Sequence, residues 1–197
     1  MAPNYIMKNF VLIMALLCSM VSVSAQNVSK NCYRGLIDLG YAIGLGDYKM
    51  NRFEVNTTHG YQASPHFFIG AGTGLHFMPK YETPDMEIAL DERDSSVEIP
   101  IYANLKINFT KSKVAPFIDI KAGSYVTNNS GLYTLFSAGC RIATNQKCGL
   151  NISLGYSYSK LEYQTFSKFI GNSISRYTRT PSMGFTEALA IKLGFEF

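Results

Sequence analysis

From Cys32 to the last residue, apolar and polar side chains alternate with a period of two, in eight separate runs. That period marks strands with two unlike faces, because successive side chains of an extended chain point to opposite sides. In the first run Tyr33, Ile37, Leu39, Tyr41, Ile43 and Leu45 share one face, while Arg34, Asp38, Gly40, Ala42 and Gly44 share the other. The second sets Phe53, Val55 and Tyr61 against Arg52, Glu54, Asn56 and Thr58, and the third sets Phe67, Ile69, Ala71, Leu75 and Phe77 against Gly70, Gly72, Gly74 and His76. In the fourth, Val97, Ile99, Ile101, Leu105, Ile107 and Phe109 oppose Glu98, Tyr102, Asn104, Lys106 and Asn108. The fifth and sixth are marked by Ile118, Ile120 and Ala122 against Asp119 and Lys121, then by Leu132, Phe136, Ala138 and Ile142 against Tyr133, Ser137 and Arg141. The seventh carries Leu150, Ile152, Leu154 and Tyr156, and the last Phe185, Leu189, Ile191, Leu193, Phe195 and Phe197 against Lys192, Gly194 and Glu196.

The connections alternate as well. Those after runs two, four and six are short (63–65, 110–115, 144–147), and those after runs three and seven are long (79–96 and 164–181). The other two, near 46–49 and 127–131, are short and polar. Successive hairpins of this kind build an up-and-down antiparallel sheet, and each run is long enough to cross a bilayer as a tilted strand. The expected fold is therefore all-β, an eight-stranded antiparallel up-and-down transmembrane β-barrel.

A soluble barrel with the same strand count would place its apolar face inside, so the polar face decides between the two. It carries Arg34, Asp38, Arg52, Glu54, Glu98, Lys106, Asp119, Lys121, Arg141, Lys192 and Glu196, six bases and five acids, together with most of the in-strand glycines. Balanced charges interleaved with glycine suit a narrow interior that side chains must fill and pair within. On an outer surface neither feature would be needed. Aromatics also sort to strand ends. Tyr33, Tyr61, Phe67, Phe109, Phe195 and Phe197 fall at one rim, and Phe53, Phe77, Tyr156, Tyr158 and Phe185 at the other. Two such girdles around an aliphatic band are what a bilayer selects. His59, Thr73 and Glu187 break the apolar face, and Pro100 stands inside a run.

The first 25 residues read as a cleaved signal peptide: Lys8, an apolar stretch from Phe10 to Met20, and Val23-Ser24-Ala25 before Gln26. The barrel would then be residues 26–197, in the outer membrane of a Gram-negative bacterium. Leader, eight alternating runs, long outer loops and the ending Ala190-Ile191-Lys192-Leu193-Gly194-Phe195-Glu196-Phe197 resemble the small outer-membrane β-barrel family of the OmpA transmembrane domain and OmpX. The resemblance implies that Phe195 and Phe197 serve as the assembly signal read by the barrel-assembly machinery, and that outer-membrane lipid surrounds the wall.

Chemical motifs are sparse. Net charge is +4 and scattered, which gives no basis for nucleic-acid binding. His59, His66 and His76 have no metal-ligand spacing, Gly70-x-Gly72-x-Gly74 opens no helix and so is no phosphate loop, and no Gly-x-Ser-x-Gly elbow occurs. No cofactor and no enzymatic activity are expected. Cys140 and Cys148 flank one short turn with the same face parity, so a disulfide is open to them if the turn is centred near Thr144. The loop 79–96 holds six acids (Glu82, Asp85, Glu87, Asp91, Glu92, Asp94), whereas 164–181 holds Lys168, Arg176 and Arg179 and no acid. They could touch each other or present a surface to an extracellular partner. A structural, adhesion or partner-binding role acting through these loops is the expected function. The alternative is a channel for small solutes or apolar molecules, and a lipid-modifying barrel enzyme ranks below both.

Overall fold

In a strand whose two faces meet different surroundings, a slip of one residue would exchange them, so the alternation itself pins the register. The computed structural model describes residues 32–46, 49–82, 89–127, 131–145, 148–171 and 174–197; the expected leader, residues 1–25, lies outside them. Eleven strands are described: β1 (Cys32–Leu45), β2 (Arg52–Gln62), β3 (Phe67–Met78), β4 (Tyr81–Glu82), β5 (Ala89–Arg93), β6 (Ser96–Glu98), β7 (Pro100–Asn108), β8 (Val114–Tyr125), β9 (Leu132–Ala143), β10 (Gly149–Gly171) and β11 (Ile174–Glu196). All strand pairs are antiparallel. Eight of the strands (β1, β2, β3, β7, β8, β9, β10 and β11) form a closed barrel, with β6 continuing the line of β7 along β3.

Closure is made between the first and last strands. β1 and β11 pair from Leu45↔Glu187 to Leu36↔Glu196. One further step, Gly35 and Phe197 exchange both main-chain hydrogen bonds, at 2.9 Å each. A closed ring has no edge within the wall, so every main-chain donor there can find a strand partner. The β2–β3, β7–β8 and β9–β10 connections lie at one end of the barrel, the turn end, and the long β10–β11 hairpin extends from the other, the ribbon end.

The outer wall is apolar. Ile37, Leu39, Tyr41, Ile69, Ile101, Ile152, Leu189 and Leu193 are all exposed, Ile69 to 60 %. Both aromatic rims face outward too, with Tyr33, Tyr61, Phe67, Phe109 and Phe195 at the turn end and Phe53, Phe77, Tyr156 and Phe185 at the ribbon end. Inside, space is short. A Cβ on Gly72 would lie 2.4 Å from the Thr57 carbonyl oxygen and 2.6 Å from the Tyr102 ring. Glycine at this position is therefore packing clearance.

Three expectations need correction. Residues 164–181 are not a loop. β10 and β11 stay paired for 23 residues each, out to Gly171↔Ile174. The segment 79–96 likewise contains β4 and β5, and Ala89–Glu92 pairs with Gln164–Ser167 of β10. Apolar and polar residues from 164 to 181 follow no period of two, so the sequence offers no strand signature there. Nor does the structure join Cys140 to Cys148. The ladder sets Cys140 against Ile152 and Ala143 against Gly149, and the Thr144 amide donates to the Cys148 carbonyl. The two cysteines are thus about four residues apart along the hairpin, roughly 13 Å at ~3.4 Å per residue. A disulfide spans no more than about 7 Å between Cα atoms.

The irregular positions also find places. Pro100 begins β7 and faces inward, after a break at Ile99 whose amide donates to Thr127 Oγ1 at 2.9 Å. Glu187 sits where β1 and β11 part, in hydrogen-bonding contact with Tyr156.

Candidate functional site: the filled interior and the ribbon

All eleven charged residues of the polar face lie inside the barrel and are buried: Arg34, Asp38, Arg52, Glu54, Glu98, Lys106, Asp119, Lys121, Arg141, Lys192 and Glu196. Alternation alone accounts for their side, and strand register sets their heights. Near the turn end Glu196 is a hub. It accepts from Arg34, from Arg141 Nε at 3.0 Å and from Lys106 Nζ at 3.1 Å. Lys106 also donates to Asn151 Oδ1 at 2.9 Å and lies 4.3 Å from the centre of the Phe117 ring. A pocket lined by Arg34, Leu36, Gln62, Phe68, Lys106 and Glu196 opens at this end.

Midway along the barrel, Lys121 Nζ sits 2.5 Å from Asp38 and 4.0 Å from Asp119, and Asn104 donates to Asp119. On β2 and β11, the neighbours of β1, Glu54 takes Arg52 Nε at 2.6 Å and Lys192 Nζ at 2.8 Å, and Arg52 donates to Ser157 Oγ at 2.7 Å. His76 bridges Tyr125 Oη (2.8 Å) and Asn56 Oδ1 (3.1 Å). Charges taken out of water are tolerated when every one has a partner of opposite sign close by. Each of the eleven does.

Sequence reasoning missed two parts of the interior. Arg93, in a segment read as loop, turns back inside to hold Glu98 at 2.5 Å and donates to the Glu162 carbonyl at 2.6 Å. Among the described residues, seven buried cations therefore face five buried carboxylates. Toward the ribbon end the interior is an aromatic and apolar plug of Met50, Met78, Tyr102, Tyr125, Tyr133, Leu135, Leu161 and Tyr163. The adjacent pair Leu135-Phe136 was the available signal, since two neighbouring apolar residues in a strand must occupy both faces.

Beyond the barrel, the ribbon end carries a sheet in the order β4-β5-β10-β11. β11 leaves β1 after Glu187, so from Ile174 to Thr186 its outer edge has no strand against it among the described residues. Charge continues onto this sheet at Lys80, which contacts Glu82 and lies 3.2 Å from Glu92. Hydrogen bonding to these carboxylates, Glu82 first, holds the Lys80 ammonium above its ordinary range.

Phe195 and Phe197 project outward at the turn-end rim. The Phe197 ring covers Gly35 on β1, where a Cβ would meet it at 2.4 to 2.5 Å. Beside it, His59 contacts Phe197 edge-on, stacks on Tyr33 and makes side-chain hydrogen bonds. No protein-family model matches this chain, and no curated protein is similar to it in sequence.

Proposed function

We propose that the protein is an outer-membrane barrel of the OmpA and OmpX kind, whose filled interior anchors it and whose external sheet binds a partner. The observation that carries this reading is the edge of β11 from Ile174 to Thr186, which runs out beyond the barrel with no strand against it among the described residues. An unpaired strand edge presents a row of main-chain donors and acceptors. It can add a strand from another chain, with alternate side-chain pockets supplying specificity. Support for a bilayer around the wall comes from its exposed aliphatic band between two aromatic rims. The ion pairs and aromatic plug argue against a water-filled path. The filled barrel carries the ribbon at one end, and binding surfaces are commonly borne on such scaffolds.

The test is to replace 166–179 by Asn-Gly, which closes β10 onto β11 just beyond the Thr165↔Thr180 pair. A photo-crosslinking residue at Ser182 in intact cells should capture a specific partner with the full ribbon and lose it with the shortened one. Both forms should fold, as judged by heat-modifiable migration on a gel. Identical cross-links from both forms, or none from either, would refute ribbon-mediated binding.

A further inference from the structure

His59 is polar and exposed on a mainly apolar wall, and its neighbours give it chemistry. Its Nδ1 is 2.5 Å from the Tyr33 hydroxyl, and its Nε2 is 3.0 Å from Thr57 Oγ1. A neutral imidazole has one N–H and one acceptor nitrogen, and each hydroxyl has one proton. The three groups thus hold three protons, and the two hydrogen bonds between them use two. If Nδ1 carries the imidazole proton it donates to Tyr33, Thr57 donates to Nε2, and the Tyr33 proton is left over. If Nε2 carries it, the Thr57 proton is left over. Either tautomer leaves one O–H outside these two bonds, on an exposed cluster of the outer wall.

The cluster sits at the turn-end rim, beside Phe197, with the Gly35↔His59 pair two steps along the ladder from Tyr33↔Tyr61. At that level of a membrane, an aromatic rim lies among phospholipid headgroups and glycerol esters. We propose that Tyr33, Thr57 and His59 form a binding site for one glycerophospholipid, with the spare hydroxyl donating to an oxygen of its phosphate–glycerol region. This inference rests on the membrane reading given under Proposed function.

An acyl chain then has a path. In register with His59 across the next three strands stand Ala71, Ala103 and Ala122, all outward-facing. His59 is three residues from the turn end of β2, Ala71 four from that of β3, Ala103 five from that of β7 and Ala122 eight from that of β8. The small-residue furrow therefore climbs from the rim toward mid-wall. Three strand spacings make it roughly 14 Å long at ~4.8 Å each. The main-chain N–H groups here are committed to the β1–β2 and β2–β3 ladders and supply no pair of main-chain oxyanion donors, so binding rather than hydrolysis of the lipid ester is expected.

The experiment is native mass spectrometry of the delipidated barrel in detergent, titrated with dioleoyl phosphatidylethanolamine. One lipid should be retained by the wild type. Retention should weaken about tenfold in the Tyr33→Phe/Thr57→Val double variant, which keeps both rings but removes both hydroxyls. Ala103→Leu, which fills the furrow without touching the donors, should weaken it as well. Free glycerophosphate should not bind. Equal retention by the double variant, or release of fatty acid from the probe, would overturn the proposal. Vesicle insertion separates the two levels of failure. A barrel that enters vesicles but retains no specific lipid refutes this site alone, and one that does not enter them refutes the membrane reading.

Discussion

Glu196 is where the interior is most easily broken, because one carboxylate compensates three buried cations, Arg34, Lys106 and Arg141. Glu196→Gln keeps the volume and one acceptor oxygen but removes the charge. Leaving a buried charge without its counter-ion costs about 3–5 kcal/mol. Lys106 retains Asn151 as an acceptor, so the loss falls mainly on the two arginines. The expected destabilisation is therefore about 3 kcal/mol for Glu196→Gln and about 5 kcal/mol for Glu196→Leu. With no Trp in the chain, equilibrium urea unfolding in micelles is best followed by circular dichroism and by gel migration of unheated samples. A double-mutant cycle supplies the internal check. Adding Arg141→Met to Glu196→Gln should recover at least about 1 kcal/mol, since a cation with no partner is then removed. A loss below about 1 kcal/mol for Glu196→Gln, or strictly additive effects in the double variant, would refute the hub.

Two other outcomes follow from the same geometry. Gly35→Val puts side-chain atoms where the Phe197 ring lies, so closure of β1 on β11 should weaken by about 1–3 kcal/mol and membrane assembly should fall. Phe197→Leu in the Gly35→Val background should restore part of it, while full assembly of Gly35→Val alone would show that Phe197 plays no part in closure. Reconstituted in planar bilayers, the barrel should show no stable conductance, because paired charges and the Met50-Tyr133-Leu161 plug fill its bore. A steady ohmic conductance in the wild type, altered by Arg52→Ala, would reinstate the channel reading.

How much of this was legible in the sequence depends on what each residue faces. Ile37, Leu39 and Ile191 outside and Asp38, Gly40 and Lys192 inside were legible because the two environments differ sharply and the strand period is two. The interior charges were assigned to a face, but not to partners: alternation does not tell that Lys121 meets Asp38 rather than Glu54. Leu36, Leu135 and Leu161 inside were hidden because they match the apolar character of the opposite face. The ribbon was illegible because apolar and polar residues from 164 to 181 do not alternate, and strand pairing there shows only in the backbone ladder. The cysteine pairing turned on where one hairpin reverses, which two residues of equal parity do not reveal. His59 looked like an error in the apolar face until register brought Tyr33 and Thr57 to its two nitrogens.

Contact of the apolar face with lipid, and packing of the polar face within, can be read position by position along β1. In proteoliposomes of a variant with Cys32, Cys140 and Cys148 replaced, single spin labels can be placed in turn at 37, 39, 41 and 43 and at 38, 40 and 42. Collision with lipid-soluble oxygen and with a water-soluble nickel chelate is then measured at each. High oxygen and low nickel contact is expected at the four odd positions, and low contact with both reagents at the even positions wherever the labelled barrel folds. High nickel contact at the odd positions, with oxygen reaching only the even ones, would mean an apolar interior and a watery exterior, and would contradict contact of the apolar face with lipid.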